Sequence, residues 1–390
     1  MKRFIIMLLC FSVFIPTFTC AKTKEKDSKI NLIQNAKSGI LFDYNSGSVI
    51  YEKDANKELA IASLTKMTAQ IIILEQIEKG KISWKDIVTV SENAASFGGS
   101  QIYLEPNEKM SVEDLFKGIS VASANDATVA MAEYIAGSEE EFVKLMNKEV
   151  KDLGLKHTHF SNCTGLDTDN HYSTAKDLSI IVKELLSHEQ ILNFSSIYED
   201  YLRKDTKNKF WLVNTNKLVR QYPGADGLKT GHTDNAGYCL AATAKKNNMR
   251  LVAIVLGEEN SKVRNNETMA LLDYGFDLYE VKLIEKKGKK IDTLTLDKAN
   301  KVNVDIFLKN DITLFKKKTD KDIKYTTELV LDDVSLPIKK GIPVGKVIVK
   351  DNNNQKLTEV EVTCKEDIHK INIFGLYIRN IKEMLTSTIR

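Results

Sequence analysis

The chain has 390 residues, 43% hydrophobic and 28% charged, with a net charge of +3 at pH 7. That length holds two or three domains with ample core, and the composition is ordinarily globular. So small a charge, with no basic tract, excludes nucleic acid as a partner.

Lys2 and Arg3 precede an apolar run from Phe4 to Phe18, and small residues follow at Thr19, Cys20 and Ala21. This makes residues 1–21 a secretory signal peptide, so the body of the protein is expected to be exported. Cys20 leaves lipoprotein processing open, although Thr17-Phe18-Thr19 suits it poorly, and an uncleaved anchor is a further route. Of five cysteines, Cys163, Cys239 and Cys364 remain beyond Cys10 and Cys20. They are widely spaced and odd in number, which gives neither a disulfide framework nor a zinc pattern. Cys239 lies in an apolar run as a small core residue. His157 and His159 form a bare H-x-H, and there is no H-E-x-x-H, G-x-S-x-G or phosphate-cradling glycine loop. No metal or cofactor is expected.

Gly39–Tyr44 and Val49–Tyr51 flank the polar turn Asn45-Ser46-Gly47-Ser48 and predict a β-hairpin. A helical run from Met67 to Glu78 ends near Gly80, and Ser63-Leu64-Thr65-Lys66 stands directly ahead of it. If Ser63 opens this helix, Lys66 lies one turn on and on the same face. Helical spacing recurs at Val112–Ser120, Asp126–Ile135 and Glu139–Leu153, and Ser173 or Thr174 is placed to cap a helix from Ala175 to Leu186. Ser123-Ala124-Asn125 falls between two of these patterns. Lys229-Thr230-Gly231 falls just before a change of period: Ala236–Thr243 and Arg250–Leu256 read as strands joined at Lys246-Asn247-Asn248, followed by a helix from about Lys262 to Tyr279. Strands at both ends with helices between predict an α+β domain over residues 28–280, with one antiparallel sheet flanked by helices and a helical lobe.

From Val281 short alternating stretches dominate: Ile291–Leu296, Val302–Leu308, Tyr325–Leu331, Gly345–Val349 and Leu357–Val362. They predict a small all-β domain over 281–370, a spacer or binding module. Over 371–390, Phe374, Tyr377, Ile378, Ile381, Met384, Leu385 and Ile389 recur at helical spacing, interrupted by Arg379, Lys382, Glu383 and Arg390. This helix is too short and charged to span a bilayer. It suits the membrane interface, with Arg and Lys toward anionic head groups; the alternative is a helix docked on its own protein.

The chemistry lies in the three short stretches. A serine hydroxyl needs a base beside it, and Lys66 must be neutral to be one. A free lysine, with a pKa of ~10.4, is charged at neutral pH. Burial and a second cation, Lys229, both lower that value. Ser123 is suited to relay a proton to a leaving amine, and Asn125 to hold Lys66 and a substrate amide. Lys229 and Thr230 suit a substrate carboxylate. The strand from Gly231 offers a backbone N–H to pair with that of Ser63 around a developing oxyanion. The expected outcome is acyl transfer through a serine ester, then hydrolysis.

S-x-x-K, S-x-N and K-T-G in this order are shared with class A β-lactamases and penicillin-binding proteins. The chain resembles the low-molecular-mass penicillin-binding proteins that are serine D-alanyl-D-alanine carboxypeptidases. The likeness is carried by Ala62-Ser63-Leu64-Thr65-Lys66-Met67-Thr68, Ser123-Ala124-Asn125-Asp126-Ala127, His171-Tyr172-Ser173-Thr174-Ala175-Lys176-Asp177, Asp226-Gly227-Leu228-Lys229-Thr230-Gly231-His232-Thr233, Ala236–Thr243 and Leu271–Phe276. It is strong from Lys37 to Tyr279. The resemblance implies a β-lactamase-like fold and peptidoglycan stem peptides ending in D-Ala-D-Ala as substrate, with β-lactams as inhibitors. It makes Ser63 the nucleophile and Lys66 its base, with Ser123 and Asn125 as second element and Lys229 and Thr230 as third. The His232 N–H joins the oxyanion hole, and Arg264 meets the terminal carboxylate. Ala124 stands where many relatives have Gly. The implied location is the outer face of the cytoplasmic membrane.

Three other readings compete. A β-lactamase would use a glutamate, and Glu189-Gln190-Ile191-Leu192-Asn193 spells its E-x-x-L-N pattern, but as the tail of the preceding helix and far beyond Ser123. A peptidoglycan endopeptidase uses the same chemistry on cross-links. A non-catalytic wall-binding protein would not need the reactive side chains, all of which are present.

Overall fold

The computed structural model describes residues 31–387; the expected signal peptide and residues 388–390 lie outside them. The centre is a five-stranded antiparallel sheet in the order Val49–Lys53, Ser38–Asp43, Met249–Glu258, Gly237–Lys246, Ala225–Thr233. The first strand therefore pairs with one from far down the chain, Ile40 opposite Ile254.

Leu251–Leu256 reads as an unbroken apolar run because both faces of the sheet are covered. Alternate side chains go opposite ways. Val252, Ile254 and Leu256 join Ile40 and Phe42 in the core under the helical lobe. Leu251, Ala253 and Val255 join Leu41, and Leu271, Leu272 and Phe276 from the Ser261–Leu278 helix on the other face. In the lobe, the Lys66–Glu78 helix is buried without a break from Lys66 to Leu74. A helix with no polar face belongs at the centre of its layer.

Most expected elements are found within a few residues of their predicted ends, and Thr174 is the cap of the Ala175–Ser187 helix, its hydroxyl accepting the Asp177 N–H at 3.0 Å. Three differences matter. The Val112–Ser120 helix stops at Lys117 and continues as a π turn, Gly118–Ala122, which delivers Ser123; an extra residue per turn of this kind re-aims the side chain after it. Lys229-Thr230-Gly231 precedes the expected strand, here Gly237–Lys246, and itself lies within an edge strand, Ala225–Thr233, that was not expected. That strand pairs on one side only, and its other edge meets the Ser63 turn; its middle, Gly227 to Gly231, is buried on both faces, so apolar alternation is absent. A short hairpin, Glu199–Leu202 with Phe210–Val213, was not legible in the pattern.

The C-terminal part holds the five expected strands as one sheet, in the order Lys290–Thr295, Asn303–Leu308, Lys356–Cys364, Pro343–Asp351, Tyr325–Leu331. Two further strands, Tyr279–Glu285 and Ile312–Lys317, pair with each other, and the Tyr279 and Phe315 rings stack at 4.8 Å. The first of these continues directly from the Ser261–Leu278 helix.

The terminal helix spans Ile373–Ser387 and leaves Ile373 88% and Phe374 72% exposed. Arg379 departs from expectation. Its guanidinium donates to the carbonyls of Asp297 at 3.1 Å and Ala299 at 2.5 Å, so it is turned toward the β domain rather than outward. Among the described residues no helix is long and apolar enough to cross a membrane.

One buried group makes the sheet sensitive to pH. Glu258 ends the Met249–Glu258 strand with both carboxyl oxygens lacking a hydrogen-bond donor. Its neighbour is Glu267, whose carboxylate accepts the Asn35 and Ala36 N–H groups. Burial, then the Glu267 carboxylate, pushes Glu258 up to about 8. The folded protein thus keeps this proton while the unfolded chain loses it at an ordinary carboxylate pH, so stability falls as pH rises from the unfolded value to about 8. Glu258→Gln is expected to melt with wild type at pH 4 and roughly 5 °C above it at pH 9, the size of shift that about 2 kcal/mol produces in a domain of this size. Thermal melts at the two pH values check this.

Candidate active site

Ser63 sits in a short 3₁₀ turn, Ala62–Thr65, directly before the helix that begins at Lys66. Residues three apart in such a turn eclipse one another, so Lys66 stands over Ser63. The Lys66 amine is 2.9 Å from Ser63 Oγ, 2.7 Å from Asn125 Oδ1 and 2.5 Å from the Thr164 carbonyl oxygen. A neutral amine has two N–H groups and one lone pair. Asn125 Oδ1 and the Thr164 carbonyl take the two N–H groups, which leaves the lone pair for the Ser63 proton.

Lys66 is fully buried. Burial pulls its amine down to about 7, against smaller opposing effects of Cys163 and Asp126. Lys229, also buried, donates to Ser123 Oγ at 2.7 Å and to its neighbour's carbonyl, that of Thr230, at 2.9 Å. Burial, then the like charges of Lys66 and Arg264, hold Lys229 well below the ordinary lysine range. Burial is thus the largest cause at Lys66, and the repulsion between the two amines, which is mutual, adds to burial at Lys229.

The second element is built by the π turn. Ser123 comes directly after it with φ +63°, a left-handed conformation that aims its hydroxyl at Lys229. Asn125 opens the Asn125–Ala136 helix; its N–H donates to the Ser100 carbonyl at 2.7 Å and its amide Nδ2 to that of Gly98 at 2.8 Å. Ala124, between Ser123 and Asn125, is buried.

In the third element, Thr230 donates to Thr215 Oγ1 at 2.7 Å. Gly231 has no room for a side chain: a Cβ there would lie 2.8 Å from the Ile61 carbonyl oxygen and 3.1 Å from the Ser63 nitrogen. The edge strand thus lies against the nucleophile's backbone. The His232 ring is outside this network and stacks on Tyr238 at 3.9 Å. Arg264 is buried, its guanidinium held by Asn265 Oδ1 at 2.9 and 3.1 Å, close enough for its charge to act on Lys229. The structure thus brings Ser63, Lys66 and Asn125 into one bonded group and Ser123 and Lys229 into another, and it leaves the His232 and Arg264 side chains bonded to neither.

Several contributors were missed. Asp126 is buried, and its carboxylate accepts the N–H groups of Ile102, Leu104 and Ala127, clamping the 98–104 loop beside Asn125. The Thr164 carbonyl is aimed by Asn162, whose Oδ1 accepts the N–H groups of Thr164 and Gly165 at 3.2 and 2.7 Å. The Asn-x-x-Gly spacing was the available signal, an Asx turn ending on a glycine. Glu189 lies before the short Ile191–Ser195 helix, not in the tail of the one before it. Its charge acts on Tyr44, and no hydrogen bond at Ser63 or Lys66 involves it.

A profile described as D-alanyl-D-alanine carboxypeptidase matches residues 22–260, and one described as penicillin-binding protein 5, C-terminal domain, matches residues 279–370. The chain is 45% identical to D-alanyl-D-alanine carboxypeptidase DacF of Bacillus subtilis over 95% of both chains. It is 35% identical to DacA of Escherichia coli over 90% of this chain and 88% of that one. Penicillin binding protein 5 from Haemophilus influenzae has a similar structure, with a TM-score of 0.67 at 32% identity, over 86% of this chain and 98% of that one.

Gly165 tests how tightly the site is built. Its φ is +84°, and a Cβ would fall 2.0 Å from the Ala62 carbonyl oxygen. Gly165→Ala is expected to destabilise the protein by about 2–4 kcal/mol, since both backbone strain and a hard contact oppose it. Denaturant unfolding measures the change.

Proposed function

The chain belongs to the D-alanyl-D-alanine carboxypeptidase family, and from that membership we propose how its residues remove the terminal D-Ala from a peptidoglycan stem pentapeptide. The protein is a serine-type D-Ala-D-Ala carboxypeptidase. Ser63 Oγ attacks the carbonyl carbon of the penultimate D-Ala, and its proton passes to Lys66. The N–H groups of Ser63 and His232 hold the oxyanion. The C–N bond breaks, and the leaving amine takes a proton by way of Ser123. Water then attacks the Ser63 ester, giving its proton to Lys66 and restoring the hydroxyl. Asn125 fixes Lys66 and the substrate amide; Lys229, Thr230 and Arg264 receive the terminal carboxylate. β-Lactams acylate the same serine.

The observation that carries this reading is the buried Lys66 amine at 2.9 Å from Ser63 Oγ, with both its N–H groups engaged elsewhere. D-Ala release from a D-Ala-D-Ala pentapeptide is the direct test, and Ser63→Ala is expected to abolish it. Lys66 acts as base only when neutral, so kcat/KM is expected to rise tenfold per pH unit toward about 7 and level off above it. Lys66→Arg, charged at every accessible pH, is expected to lose about 10³-fold or more. A flat pH profile between 5 and 8 would remove Lys66 from the base role.

Residues 1–21 are proposed to be removed on export, 28–280 to form the catalytic domain, and 281–370 to serve as a spacer. Residues 371–390 are proposed to lie on the outer face of the cytoplasmic membrane, supported by the exposed Ile373, Phe374 and Tyr377. Protein ending at residue 370 is expected to lose sedimentation with anionic phospholipid vesicles while keeping pentapeptide turnover. Equal sedimentation of both forms would assign the helix to the protein's own surface.

A further inference from the structure

The segment that supplies the Thr164 carbonyl also supplies His171, a buried imidazole with no part in the proton transfers above. Its Nδ1 accepts the Ser161 N–H at 3.1 Å, which leaves the ring proton on Nε2. Nε2 is 2.7 Å from Thr65 Oγ1 and donates to it. Thr65, also buried, donates in turn to the Ala62 carbonyl oxygen at 2.8 Å. Three hydrogen bonds in one direction thus end on the peptide bond between Ala62 and Ser63.

That peptide bond is the one whose N–H is assigned to the oxyanion. A peptide unit is planar and trans, so the direction of the Ala62 carbonyl fixes the direction of the Ser63 N–H. A donor on the carbonyl also polarises the amide and strengthens its N–H, as hydrogen-bonded chains do. Ala62 needs such support, because it holds φ +47°, a conformation that disfavours a residue with a side chain. Burial keeps the imidazole neutral, down to about 4, so the chain of donors keeps its direction through the pH range in which Lys66 titrates.

We propose that His171 is a positioning residue of the oxyanion site, acting through Thr65 on the Ala62–Ser63 peptide. The proposal rests on the role given above to the Ser63 N–H. It distinguishes His171 from a polar core residue, which would affect how much protein folds but not how fast each folded molecule acylates.

The test uses the whole chain with Thr65→Val, Thr65→Ser, His171→Ala and the double variant His171→Ala/Thr65→Val. Three quantities are read: the fraction of Ser63 that a fluorescent penicillin titrates, the acylation rate constant per titrated serine, and the inhibition constant of 1-acetamidoethylboronic acid. The boronate forms a tetrahedral adduct on the serine and places an oxygen in the oxyanion site. Removing an oxyanion donor costs about 10²–10³ in rate, so loosening one is expected to cost about tenfold per titrated serine. Because the two residues act as one chain, the double variant should lose no more than either single variant. Boronate inhibition should weaken in parallel, with KM for the pentapeptide unmoved, and Thr65→Ser should recover most of the rate lost in Thr65→Val. Rates per titrated serine near wild type, additive losses, or unchanged boronate inhibition would each overturn the proposal. Acylation persisting in Ser63→Ala would instead overturn the nucleophile assignment beneath it.

Discussion

The dryness around the Lys66 amine is the condition on which the site depends. Burial is what brings that amine down to about 7 from the ordinary lysine value, and this works against folding because the charged form loses its hydration. The fold supplies the burial by enclosing the amine between the buried Lys66–Glu78 helix, Asn125 and the Thr164 carbonyl. A second lysine close by makes enclosure more demanding, because two buried ammonium groups repel. Lys229 sits in the same dry region, so a proton on either opposes a proton on the other. The site is therefore poised to hold one mobile proton, which suits a reaction that takes a proton from serine and returns it to an amine.

The nucleophile's backbone is as constrained as its base. Gly165 closes on the Ala62 carbonyl from one side, and Gly231 closes on the Ser63 nitrogen from the other. Neither contact tolerates a Cβ, so the turn is gripped between a loop and the edge strand of the sheet. This contact defines the sheet's role. Its edge strand holds Lys229, Thr230 and Gly231 in register with Gly237–Lys246, Gly231 opposite Cys239, and the rigidity of the ladder carries over to the distance between the strand and Ser63. Strain at Ala62 persists because these neighbours over-determine it.

Local constraints were legible in the sequence, and tertiary ones were not. Ser63 and Lys66 are one turn apart, and Ser123 and Asn125 flank a single residue, so short motifs record them. The apolar periods of the Gly237–Lys246 and Met249–Glu258 strands record a sheet covered on both faces. Thr164 acts through its carbonyl, which no side-chain pattern reports. Thr215 and Asp126 act on residues whose partners are set by tertiary packing. His171 reaches Thr65 across the chain, and the Ala225–Thr233 strand has no alternation because its middle is buried on both faces and carries the polar Lys229 and Thr230. Arg379 differs for the opposite reason: its charge suggested head groups, while backbone carbonyls of the β domain were within its reach, as in the alternative of a helix docked on its own protein.

Arg379 also bears on how the terminal helix is used. A helix of this length gains little from its own hydrogen bonds in water and needs a packed face. Here the guanidinium bonds at Asp297 and Ala299 fasten one side to the β domain, and Ile373, Phe374 and Tyr377 stay exposed on a helix that has spent a charge on its own protein. Contiguous exposed apolar side chains of this kind call for a cover. The proposed membrane surface would cover them while the Arg379 bonds hold the helix against the β domain. On that proposal the Arg379 contact would make the β domain the support of the helix as well as a spacer.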